Sequence, residues 1–136
     1  MLVLDAAAAM AAVLPQRHSD AARDLLLRVA DDGAVVPAIW HLEVGNILLA
    51  AERRGILDAG QRAAVFTHLA SLPIATDAET AARAWGETLS LSQIYALSLH
   101  DAAYLELARR RSLPLATLDS ELRIAAAAED VALLGL

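Results

Sequence analysis

The chain has 136 residues, 57% of them hydrophobic, which suits one ordinary domain with a real core and is too apolar for a disordered segment. It contains neither cysteine nor lysine, which excludes disulfides, thiolate zinc sites, cysteine nucleophiles, the phosphate-loop lysine, Schiff-base chemistry and serine–lysine dyads. A net charge of −6 suits a phosphate-binding surface poorly, unless the excess is plain solubilising charge or one cluster that metal ions neutralise.

Leu2-Val3-Leu4 predicts a buried strand, broken by Asp5 and followed by an alanine-rich helix to about Leu14, where Pro15 ends it. The apolar run Ala6 to Leu14 has no positively charged leader and falls short of the roughly 18 apolar residues that suggest a membrane span. A soluble, cytoplasmic protein is expected. A second helix is predicted from His18 to about Asp31, with Leu25, Leu26 and Val29 as its buried stripe and Gly33 as its stop. Ala34-Val35-Val36 reads as a second strand closed by Pro37, and a long helix runs from about Ile39 to Arg54, ended by Gly55. Asp58 is a natural N-cap for a helix reaching about Leu72.

Pro73 to Thr76 predicts a third strand. Asp77 is expected to cap the next helix, with Glu79 in its first turn, and that helix fades between Leu89 and Leu97. Ser98 or His100 opens a further helix ending in Arg109-Arg110-Arg111. Leu113 to Leu118 reads as a fourth strand, Asp119 as the cap of a last helix, and Val131 to Leu134 as an edge strand. Alternating β and α elements imply an α/β fold with a mostly parallel sheet of four or five short strands and helices on both faces. No repeat or linker divides residues 1–136, so a single domain is expected.

Four acids stand out from this frame. Asp5 and Asp119 each follow a strand, at the sheet edge where ligands of open α/β proteins bind, although either also serves as a helix cap. Glu43 has Ile39, Trp40, Asn46 and Ile47 as its helical neighbours, an apolar setting in which only Asn46 is placed to hold it. A buried arginine partner is the plain alternative. Asp101 sits among Leu97, Ser98, Tyr104 and Leu105, and a helix N-terminus alone would satisfy it. Taken together, clustered carboxylates repel each other and call for a counter-ion. Oxygen ligands without thiolates or paired histidines favour Mg²⁺ or Mn²⁺ over zinc, and the matching chemistry is metal-assisted phosphodiester hydrolysis.

The stretches Leu2-Val3-Leu4-Asp5-Ala6, Leu42-Glu43-Val44-Gly45-Asn46, His100-Asp101-Ala102-Ala103-Tyr104-Leu105 and Leu115-Ala116-Thr117-Leu118-Asp119 match, in order and spacing, those of a known family. The chain resembles the PIN-domain ribonucleases, and among them the VapC-type toxins of bacterial toxin–antitoxin pairs. The resemblance implies a PIN-like three-layer α/β/α fold. It places Asp5, Glu43, Asp101 and Asp119 on the family's catalytic, metal-binding acidic positions, with Asp5 and Asp101 matching the most usual Mg²⁺ ligands. Asn46 and Thr117 match supporting positions. It further implies an endoribonuclease that cuts structured RNA, forms a homodimer and is inhibited by a cognate antitoxin. The chain departs from the pattern at Ala7, where a serine hydroxyl is common.

Arg17, Arg53 and Arg54, and the Arg109–Arg111 run, are candidates for RNA phosphate contacts, although arginines near helix C-termini are also favoured by the helix dipole. His100 is more often structural in such a place, and Trp40 and Trp85 are expected in the core. A receiver domain needs an acidic pair after the first strand and a lysine, and a haloacid-dehalogenase-like phosphatase needs Asp-x-Asp where Asp5-Ala6-Ala7 stands. Both are rejected. The remaining rival is a catalytically weak PIN domain that serves as a protein- or RNA-binding module.

Overall fold

The computed structural model describes residues 1–14 and 20–135. Four strands, β1 (Leu2–Leu4), β2 (Ala34–Val36), β3 (Ile74–Thr76) and β4 (Leu115–Ala116), form one all-parallel sheet in the order β3-β2-β1-β4. Val3 pairs with Val35 on one side and with Leu115 on the other, and Val35 pairs in turn with Ala75. Every residue of β1, β2 and β4 is buried, which is why these strands read as unbroken apolar runs instead of alternating. Each fully buried leucine or valine here contributes about 1.5–3 kcal/mol.

The helices are α1 (Ala6–Val13), α2 (Asp20–Asp32), α3 (Trp40–Arg53), α4 (Ala59–Ser71), α5 (Thr80–Arg83), α6 (Glu87–Tyr95), α7 (Leu99–Arg111) and α8 (Ser120–Ala128). The first two crossovers step across the sheet in one direction and the third steps back. Right-handed crossovers therefore place α1 to α4 on one face and α5 to α7 on the other. Packing agrees: α1 lies on α2 and α3, α3 on α4, and α7 on α6, α8 and β1. The three-layer α/β/α arrangement is present. Among the described residues no helix is long and apolar enough to cross a membrane.

Local signals place most boundaries. Asp58 and Gln61 form a reciprocal capping box at α4. Gly33 ends α2 with φ +81°, and a side chain there would press on the Pro73 carbonyl oxygen at 3.3 Å. Ser98, not His100, is the cap of α7.

Five expectations are corrected. The fourth strand covers only Leu115–Ala116, because Pro114 has no N–H to pair and the Thr117 side chain turns to Asp5. Val131 to Leu134 contribute a single bridge, Leu115 to Leu133, and no edge strand. The helix expected after Asp77 is two helices, α5 and α6, parted around Gly86. Asp77 is not the N-cap residue of α5, which is Glu79; its carboxylate does accept the Glu79 N–H and the Thr80 hydroxyl ahead of the helix, but it is also buried in an ion pair with Arg110. Trp85 sits in the break between α5 and α6, 89% exposed, whereas Trp40 lies in the core as expected. The predicted start of the second helix at His18 falls outside the described residues.

Candidate active site

The strand order reverses at β1, whose neighbours β2 and β4 lie on opposite sides. In an open parallel sheet the carboxyl end of such a strand opens into a crevice, because the connecting helices diverge to opposite faces. Asp5 leaves β1 at this point and Asp119 follows β4 beside it. Glu43 lies in the first turn of α3 and Asp101 in the first turn of α7. A cavity of about 300 Å³ is lined by all four acids together with Asn46, Ile47, Tyr104, Ala6 and Ala7. Among the described residues no serine, histidine or arginine lines it.

The convergence is one of helix N-termini. Asp5 caps α1 by accepting the Ala8 N–H at 2.8 Å, and Asp119 caps α8 by accepting the Leu122 N–H at 2.9 Å. The capping role foreseen for both aspartates is therefore real, yet it occupies one oxygen of each. With Glu43 and Asp101 in first turns, four helices point their positive ends at one cavity. The helix N-termini offset part of the mutual repulsion of the carboxylates.

Thr117 ties two of the acids together. Its fully buried hydroxyl donates to Asp5 Oδ2 at 2.6 Å and accepts the Asp119 backbone N–H at 3.1 Å. Among the described residues Glu43 has no arginine partner; the Tyr104 hydroxyl donates to its Oε1 at 2.5 Å. Asn46 lines the cavity but does not hydrogen-bond Glu43, so the supporting contact expected from its helical position is made by Tyr104 instead. Tyr104 is the residue that reading by spacing missed. Its place one turn after Asp101, on an otherwise apolar face, was the available signal.

Burial raises the Asp5 carboxyl above its ordinary range, and the nearby Asp119 charge adds to this, against the Thr117 and Ala8 hydrogen bonds. Glu43 is raised by burial and by Asp101 and Asp5, against Tyr104 and His100. Asp101 is raised by burial, then by Asp119 and Asp5. Three acids thus hold protons more tightly than free carboxyls, the condition a divalent cation would relieve. The donor set is all oxygen, which fits Mg²⁺ or Mn²⁺. Among the described residues no three acidic or histidine side chains group closely enough to hold an ion by themselves. An ion that keeps several waters and takes one or two carboxylates directly is compatible with this spacing.

The arginine candidates divide. Arg53 and Arg54 are exposed at the far end of α3, about 15 Å along the axis from Glu43. In the Arg109–Arg111 run, Arg110 is engaged with Asp77, Glu79 and Glu106, and Arg109 pairs with Glu129. Arg17 lies outside the described residues.

Comparison with known proteins agrees with the fold. A family model for the PIN domain matches residues 2–128. The chain belongs to the PIN domain family, whose members are generally nucleases. Among solved structures, PAE2754 from Pyrobaculum aerophilum is similar at 24% identity and a TM-score of 0.69, over 91% of this chain and 78% of that one. FitAcB from Neisseria gonorrhoeae is similar at 19% identity and a TM-score of 0.64, over 99% of this chain and 97% of that one. A search of curated proteins returns no match.

Proposed function

We propose that the chain is a Mg²⁺-dependent endoribonuclease, with Mn²⁺ as a substitute, acting as the VapC-type toxin of a toxin–antitoxin pair. The observation that carries the reading is the convergence of Asp5, Glu43, Asp101 and Asp119 on one cavity, in which no serine or histidine stands among the described residues. A divalent ion bound there supplies charge that neutralises the phosphate and a water of lowered pKa. Asp5 and Asp101 would hold the ion, directly or through water, and Glu43 and Asp119 would meet its hydration shell. Asp5 is held from two sides by Ala8 and Thr117, so its orientation is set before any ligand arrives. Among the described residues nothing hydrogen-bonds Asp119 Oδ2, while Oδ1 caps α8. The helix N-termini draw the scissile phosphate in, and Arg53 and Arg54 contact phosphates further along the strand. A cognate antitoxin and a second copy of the chain are the expected protein partners.

The test is cleavage of total cellular RNA by purified chain, free of antitoxin, in Mg²⁺, in Mn²⁺ and in EDTA, beside Asp101→Asn. Discrete fragments that disappear with EDTA and with the variant are expected. No cleavage in any metal by folded protein would instead support a PIN domain retained as a binding module, a reading that the methyl group of Ala7 at the cavity edge favours.

A further inference from the structure

Tyr104 lies on α7 one turn beyond Asp101, and it is only 2% exposed. It lines the acidic cavity, and its hydroxyl reaches from α7 to Glu43 on α3, 61 residues away in the chain. A buried phenol generally needs a partner, so a satisfied core tyrosine is the bland account. The hydrogen-bond pattern of the four acids goes further. Asp5 and Asp119 each accept an N–H from their own helix turn, and Asp101 is held by Ser98 at the cap of α7. Glu43 has no such donor on α3. Among the described residues, the Tyr104 hydroxyl is the one hydrogen bond that its carboxylate accepts, and it falls on Oε1.

We propose that Tyr104 is a positioning residue of the metal site, which by holding Glu43 Oε1 fixes the carboxylate in one orientation and leaves Oε2 alone to meet a divalent cation or its hydration water. The inference rests on the proposed reading of the cavity as a metal site. A glutamate on three side-chain torsions would otherwise sample several orientations, and one pinned oxygen removes that freedom before the ion binds. Glu43 then serves as a monodentate group and not as a bidentate clamp.

The experiment is Mn²⁺ titration of the metal-stripped full chain, read by calorimetry or by the electron paramagnetic resonance of free Mn²⁺, with no activity assay involved. Wild type, Tyr104→Phe, Glu43→Ala and the double variant are compared, with circular dichroism of each apo form as the folding control. Loss of an outer-shell partner typically weakens metal binding 10- to 100-fold, so Tyr104→Phe is expected to weaken Mn²⁺ about tenfold. In the Glu43→Ala background the same substitution is expected to change nothing more. Tyr104→Phe that binds Mn²⁺ like wild type, while Glu43→Ala does not, overturns the inference and leaves the metal site standing. Losses that add in the double variant also overturn it, because Tyr104 would then act other than through Glu43. Wild type that fails to bind Mn²⁺ overturns the metal-site reading and the role of Tyr104 with it. Should Tyr104→Phe not fold, Tyr104→His keeps a ring but withdraws the phenol from Glu43. A weakening that disappears in the Glu43→Ala background supports the inference, and wild-type affinity refutes it.

Discussion

Replacement of Arg110 tests whether the basic end of α7 serves RNA or the fold. The side chain is 15% exposed, and its donors all have acceptors: Nε and Nη2 reach Glu106 at 2.8 and 3.1 Å, Nη1 and Nη2 reach Asp77 at 3.2 and 2.7 Å, and Nη1 reaches Glu79 at 3.1 Å. Asp77 and Glu106 are themselves buried, so Arg110→Ala strands two carboxylates away from water, while exposed Glu79 adds little. Breaking such a buried set costs about 3–5 kcal/mol. With an unfolding entropy of about 2.1 cal/mol/K per residue, 136 residues give roughly 0.3 kcal/mol/K, and the melting temperature should fall by about 10–17 °C. Arg110→Lys recovers part of this, because an ammonium cannot form the paired contacts.

The pH dependence has a definite sign. Burial alone would raise Asp77, but the hydrogen bonds and charge of Arg110 outweigh it and hold the carboxyl below its ordinary value. That contribution is present above the ordinary carboxyl pKa near 4 and is lost as pH falls through the lower folded value. The gap between wild type and Arg110→Ala should therefore be full at pH 7 and narrow below about pH 4. Urea unfolding followed by circular dichroism at pH 7 and pH 3 measures both. A cost under about 1 kcal/mol at pH 7, accompanied by weakened RNA binding, would refute this account and return Arg110 to the phosphate-binding set.

Three further outcomes follow from the acidic cavity. Asp5, Glu43 and Asp101 are raised in the fold, so their contribution to stability is greatest at low pH and is lost as pH rises through the raised values. In EDTA the wild type should melt at a lower temperature at pH 7.5 than at pH 5, and Mg²⁺ should restore the loss at pH 7.5. Asp101→Asn should be more stable than wild type in EDTA at pH 7.5 by about 1 kcal/mol, the scale of one like-charge contact near water, and should respond little to Mg²⁺. Equal Mg²⁺ responses in both proteins would contradict the clustering. Thr117→Val removes a fully buried hydroxyl between Asp5 and Asp119 and should cost about 1–3 kcal/mol in urea unfolding while raising Asp5 further, with Thr117→Ser close to wild type. A neutral Thr117→Val would show that the pairing does not hold Asp5.

Features governed by neighbours in the chain were legible in advance. The caps Asp5, Asp58 and Asp119 and the stop at Gly33 depend on a turn or less of backbone, and residue type alone indicates them. The apolar runs of β1 and β2 disclosed burial on both faces, hence a parallel sheet between helix layers. Misreadings came where a partner lies far off. Asp77 does take up the Glu79 N–H before α5, but its buried ion pair with Arg110, 33 positions later, could not be read locally. Arg110 looked like surface charge for the same reason. Trp85 looked apolar enough for the core, yet it falls in the break between α5 and α6 where the chain turns outward.

The residue types, their order and their spacing were enough to determine an α/β chain of the PIN type with four candidate acids, because strand burial, helix capping and motif spacing are written in one dimension. Tertiary structure alone decided which oxygens of those acids are already occupied. Thr117 reaches Asp5 across 112 residues and Tyr104 reaches Glu43 across 61, and both contacts exist only because β1 and β4 pair at the switch point while α3 and α7 aim their N-termini at it. Hydrogen bonds between side chains are short-ranged and directional, so their partners follow from the packed geometry and not from distance along the chain.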